Sequence, residues 1–244
     1  MNTGPVNAGP TNDRASELAV NLAAVDLRIA QACADAGRDR AEVTLVVVTK
    51  TWPASDVRLL AGLGVRDVGE NRDQEAQPKA AECADLQRLG LRWHFVGQLQ
   101  TNKARSVAGF ADVVHSVDRP RLADALAHAA ATGGRRIGCF LQVSLDGDQR
   151  RGGALPVEVA AVAEVVAEAP ALELLGLMAV APLGADPVSS FAALAELSLR
   201  LRADHPGATA ISAGMSGDLE AAIGAGATHV RVGSAVLGGR PPLR

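Results

Sequence analysis

Eight short apolar runs recur along this chain, each separated from the next by a stretch of helical periodicity, and that alternation limits its fold more than any other feature. The runs are TLVVVT (44–49), VRDVG (65–69), WHFVG (93–97), DVVHSV (112–117), IGCFLQVSL (137–145), LLGLMAV (174–180), TAISA (209–213) and THVRVG (228–233). Apolar spacing predicts helices over 54–63, 74–89, 102–108, 120–131, 156–168, 187–202 and 218–225. Strands separated by helices pair in parallel through right-handed crossovers. Eight such units are the count of a closed (β/α)8 TIM barrel. An open doubly wound sheet has about five or six strands and its first turn carries GxGxxG, which is missing after the first run. A further helix is expected over 13–36, with Asp13 as its cap and Gly37 beyond its end. The fold class is therefore α/β, a single barrel over 13–240 with a leading helix. The polar, Gly-, Pro- and Asn-rich residues 1–12 are expected to be a disordered tail, and 241–244 a short C-terminal one.

With 48% hydrophobic and 21% charged residues, the chain can bury a sizeable core. A net charge of −3 provides no basic surplus for a phosphate backbone, which argues against nucleic acid as a partner. Cys33, Cys83 and Cys139 are odd in number and lack CxxC spacing, so they read as core residues in a reducing compartment. The amino terminus lacks the basic start and apolar run of a secretion signal, and no stretch approaches the ~18 apolar residues of a membrane span. A cytoplasmic protein without a membrane partner is expected.

In a barrel the active site lies at the C-terminal strand ends, so the polar residues there carry the functional signal. Lys50 ends the first run; an ammonium partly withdrawn from water loses its proton more readily, and a neutral amine is what an aldehyde requires. A lysine that merely snorkels from the rim would look the same at this point. The loops after the seventh and eighth runs read SAGMSGD and RVGS. Phosphates bind there in many barrels, and Gly214, Gly217 and Gly233 would allow close backbone approach while Ser216 and Ser234 offer hydroxyls. Asp218 at the start of the following helix would repel a phosphate unless turned away. Arg231 is two residues before Gly233 and so shares its face of the strand. A lysine, a phosphate cradle and an inward arginine are together what pyridoxal 5′-phosphate (PLP) requires.

The stretches VVVTKTWP, DVGENRDQE, WHFVGQLQTNKA, LQVSLDGDQRRGG, LLGLMAVAP and SAGMSGDLEAAIGAGATHVRVGSAVLG resemble the YggS/PROSC family of pyridoxal phosphate homeostasis proteins from about residue 15 to Arg240. The resemblance implies a barrel like the N-terminal domain of alanine racemase, with PLP held on Lys50 as a Schiff base. It implies Asn71 beside the ring, Ser216, Gly233 and Ser234 on the phosphate, Arg231 facing the pyridine nitrogen and Met215 lining the pocket. Ser234 stands where the family often has threonine and keeps the hydroxyl. Lys103, Arg150 and Arg151 also match, with Lys103 either a second amine for the cofactor or a solvated residue starting a helix. A monomer that passes PLP to PLP-dependent apoenzymes is the expected form.

The runner-up is a PLP-dependent racemase or related enzyme. The racemase route needs a tyrosine opposite the lysine, and the chain contains none. The chain also ends at Arg244, soon after Gly233, leaving no expected room for the second domain of a racemase. An arginine keeps its proton, so the ring nitrogen it faces stays unprotonated and the ring is a weaker electron sink. His94, Cys139 and His229 are the remaining candidate acids; the two histidines, each inside an apolar run, read equally as satisfied core residues. A carrier without catalysis is expected.

Overall fold

The computed structural model describes residues 10–239. Its eight strands are β1 (Thr44–Val48), β2 (Asp67–Glu70), β3 (Arg92–Phe95), β4 (Val113–Val117), β5 (Ile137–Gln142), β6 (Leu172–Met178), β7 (Ala210–Ser212) and β8 (His229–Val232). They pair in parallel in sequence order, and β1 closes on β8, with Thr44 opposite His229 and Val47 opposite Val232. The predicted TIM barrel is the observed fold.

Around it lie α1 (Pro10–Asp35), α2 (Ala54–Gly62), α3 (Asp73–Glu82), α4 (Ala84–Arg88), α5 (Ala104–Ala108), α6 (Pro120–Thr132), α7 (Val159–Glu168), α8 (Pro187–Asp204), α9 (Leu219–Gly224) and α10 (Ser234–Leu237). The leading helix starts at Pro10, three residues before the expected position, because proline suits a first helical turn. Asp13 is consequently in the first turn instead of at the cap. The tails expected over 1–12 and 241–244 lie outside the described residues, apart from 10–12 in α1. The helix expected over 74–89 is two, divided at Cys83 where ψ opens to 18°. β6 starts and ends two residues before the expected run, and β8 is followed by the single turn of α10. Among the described residues no helix is long and apolar enough to cross a membrane.

Alternation along each strand divides the core in two. Trp93 and Phe95 of β3 point out to the helices in the main apolar cluster, where Val47, Leu126, Phe191 and Val230 are also buried. The three cysteines are free and buried, as core residues should be. His94, between those two aromatics, points the other way. Its ring centroid is 5.1 Å from that of His115 on β4 and 6.4 Å from that of His229 on β8. β3 and β8 are so far apart around the barrel that their side chains can meet only through its interior, which holds imidazoles and Phe140 where branched aliphatic residues are usual.

Burial lowers the His229 pKa from 6.5 to about 4 and pushes His115 well below its usual range. The unfolded chain therefore takes up protons at these rings before the folded chain does. Their contribution is complete above pH 6.5 and declines as pH falls through 6.5 toward 4, by up to about 3 kcal/mol for His229. Urea midpoints measured between pH 7 and pH 4 should fall over that window; a flat profile would contradict neutral buried imidazoles.

Candidate functional site

One cavity of about 380 Å³ opens at the C-terminal strand ends, within the range of about 300–1,000 Å³ usual for small-molecule sites. Lys50 reaches it from the turn after β1, two residues beyond the strand, and Asn71 from the end of β2. Met215 and Ser216 enter from the loop after β7, Arg231 from within β8, and Gly233 and Ser234 from its end. All seven residues singled out in the sequence line this cavity. Their strands, β7, β8, β1 and β2, are consecutive around the closed sheet, so the site occupies one side of the barrel mouth.

The turn that presents Lys50 is strained. Thr51 has φ +68°, a left-handed conformation that stores about 1–3 kcal/mol in a β-branched residue. It is held there by the Trp52 amide on Thr49 O at 3.1 Å and its own amide on Glu75 Oε2 at 3.3 Å. Nothing in KTW signals this conformation, for which glycine is the ordinary residue. Behind the turn lies a buried ion pair: Lys79 Nζ donates to Glu70 Oε1 at 2.6 Å and to Thr49 O at 2.9 Å, and Thr49 Oγ1 also donates to Glu70 Oε1 at 2.6 Å. Burial raises the Glu70 pKa against the pull of Lys79. These bonds lock Thr49 to Glu70, the residues immediately before Lys50 and Asn71. The sequence gives no sign of the role of Lys79, since a lysine in a polar helix looks solvated. Gly97 completes the support, because a Cβ there would collide with the Asn71 carbonyl oxygen.

At the opposite wall the Ser216 and Ser234 hydroxyls are 3.4 Å apart, forming a polar cradle beside Gly233. Gly214 has φ +89°, and a Cβ there would be 2.7 Å from Ala222 Cβ; nothing comparable constrains Gly217. The carboxylate of Asp218 accepts the Met215 amide at 2.6 Å and is thereby tied to the loop backbone. The leading helix braces both ends of the cavity. Arg28 donates to Ser216 O at 3.0 Å while paired with Glu220, and Arg14 stacks 4.4 Å over the Trp52 ring while bound to Asp56 and Leu237 O. Arg231 is buried, which lowers its pKa to about 10 and still leaves it charged at neutral pH.

Several other residues are outside this cavity. Lys103 lines a neighbouring space of about 190 Å³ that also borders Asn71, and is 3.6 Å from Asp73. Arg150 pairs with Asp148, and Arg151 with Asp146 and Ala181 O. His94, Cys139 and His229 do not line the cavity, and burial raises the Cys139 thiol far above its usual range. A larger space of about 570 Å³ lies at the other end of the barrel beneath α1, but no lysine lines it.

The alanine racemase N-terminal domain model matches residues 20–241. A pyridoxal phosphate homeostasis protein of Mycobacterium leprae is 45% identical over 241 residues, covering 93% of this chain and 94% of that protein. The solved structure of PipY from Synechococcus elongatus with PLP bound is 34% identical, with a TM-score of 0.79 over 91% of this chain and 100% of that one. Alanine racemase from Corynebacterium glutamicum shares the fold alone, at 17% identity and a TM-score of 0.66 over 94% of this chain and 63% of that one.

Lys79→Met would leave Glu70 buried without its counter-charge and should lower stability by about 3–5 kcal/mol. Adding Glu70→Gln should recover much of the loss. Denaturant unfolding measures both, and a loss below about 1 kcal/mol for the single variant would contradict the proposed brace.

Proposed function

The chain belongs to the alanine racemase N-terminal domain family, and we propose that it is a carrier that holds PLP on Lys50 and releases it to apoenzymes without itself catalysing a reaction. The observation that carries the reading is the convergence of Lys50, the Ser216–Ser234 cradle and Arg231 on one cavity. PLP supplies an aldehyde that condenses with a primary amine, a phosphate and a pyridine ring. Lys50 offers the amine, on a turn fixed by the Glu70–Lys79 pair. The hydroxyls of Ser216 and Ser234, with the backbone at Gly233, suit the phosphate. Asn71 would stand beside the ring, Met215 would line the pocket around it and Arg231 would face the ring nitrogen. A charged arginine there disfavours protonation of that nitrogen and so weakens the ring as an electron sink.

Two further observations support a carrier over a racemase. The sequence has no tyrosine to serve as a base opposite Lys50, and His94, Cys139 and His229 do not line the cavity. The PLP bound in the PipY structure and the name of the Mycobacterium leprae relative agree with the carrier reading.

Wild-type protein incubated with PLP should absorb in the visible range and yield a lysine adduct after borohydride reduction. Lys50→Ala should lose both. An adduct retained by the variant would move the role to Lys103 or another amine. Incubation of the loaded protein with L-amino acids should leave their chirality unchanged, and rapid racemisation of any of them would refute the carrier reading.

A further inference from the structure

Inside the barrel a line of hydrogen bonds runs from the cavity to the opposite end, and the carrier reading does not account for it. Arg231 Nη1 donates to Ser212 Oγ at 2.6 Å and Nη2 to Ala179 O at 3.0 Å. Ser212 Oγ is 2.8 Å from His115 Nδ1, His115 Nε2 is 2.8 Å from His94 Nδ1, and His94 Nε2 is 2.8 Å from Asp67 Oδ1. All five side chains are buried. They come from β8, β7, β4, β3 and β2. Asp67, the far end, also pairs with Arg92 at 2.7 Å and borders the large space beneath α1.

When each ring carries one proton, the two ends fix the direction of every link. A guanidinium only donates and an ionised carboxylate only accepts. Burial pushes the Asp67 pKa up, but the hydrogen bonds from His94 and Arg92 outweigh it and hold the carboxyl below its usual range. His94 therefore presents Nε2–H to Asp67, which in a neutral ring leaves Nδ1 as acceptor. His115 must present Nε2–H to that nitrogen, leaving its own Nδ1 to accept the Ser212 hydroxyl proton. The Ser212 oxygen then turns its lone pairs to Arg231. With both rings neutral, this is the arrangement that satisfies every link. The opposite tautomer of His115 would set two lone pairs against each other at His94.

We propose that Asp67, His94, His115 and Ser212 are positioning residues for the cofactor site, a one-way hydrogen-bond chain that holds Arg231 in a single orientation beside the ring nitrogen of PLP. The proposal rests on the carrier reading for the identity of the ligand. Branched aliphatic residues would fill the same interior without desolvating polar groups, but they could not hold a buried guanidinium. A fully satisfied buried network does hold one, because each bond in a low-dielectric interior strengthens the next.

Two measurements on the full-length protein test this. In protein labelled with 15N-histidine, the His115 ring should appear as the Nε2–H tautomer with unprotonated Nδ1, in the free and the PLP-loaded protein; Nδ1–H on that ring overturns the chain. His115→Phe keeps ring volume and removes two links. It should still form the reducible Lys50 adduct, with the PLP dissociation constant raised about tenfold and the 15N resonance of ring-labelled PLP displaced. If that variant does not fold, Ser212→Ala is read the same way. A variant that binds PLP with wild-type affinity and an unmoved 15N resonance overturns the positioning role alone. Wild-type protein that takes up no PLP overturns the carrier reading and this proposal with it.

Discussion

The pairing of β1 with β8 is the contact on which the site depends. Val47 lies opposite Val232, and this register places the turn carrying Lys50 beside the loop carrying Gly233 and Ser234, although more than 180 residues separate them in the chain. β2 joins on one flank with Asn71, and β7 on the other with Ser216. A sheet left open between its first and last strands would put the amine and the phosphate cradle on opposite edges. Closure makes them neighbours, and the apolar bulk of Val46, Val47, Val230 and Val232 secures it.

Much of this was legible in the sequence, because periodicity and position carried the information. Eight apolar runs gave the barrel, and polar residues at the ends of those runs gave the site. What could not be read was the meaning of polar residues away from strand ends. Lys79 sits in a helix of polar composition and looks solvated, yet it is buried against Glu70. His94, His115 and His229 each lie within an apolar run and look like core residues there. Imidazoles at those places become informative only when strands distant in sequence face one another across the interior. The leading helix was expected, but not that Arg14 and Arg28 would tie it to Trp52 and Ser216. Long side chains that reach between elements leave no periodic trace.

Two systems of buried polar groups serve different walls of the cavity. The Glu70–Lys79–Thr49 cluster fixes the backbone from which Lys50 and Asn71 project. The line from Asp67 to Ser212 acts instead on one side chain, Arg231. Both incur desolvation in an interior that aliphatic residues would fill at less cost, so their presence concentrates rigidity where a small ligand must be gripped. Thr51 adds to the same pattern, since its left-handed backbone persists only because its neighbours over-determine the turn that aims Lys50.

The central claim is that a single cavity takes the aldehyde, phosphate and ring nitrogen of PLP at once. A crystal structure of the protein grown with PLP tests it most directly. The account predicts density continuous with the Lys50 side chain, a phosphate between Ser216 and Ser234, and the ring nitrogen against Arg231. Density joined to Lys103 in the neighbouring space, or PLP lodged beneath α1 at the other end of the barrel, would contradict it.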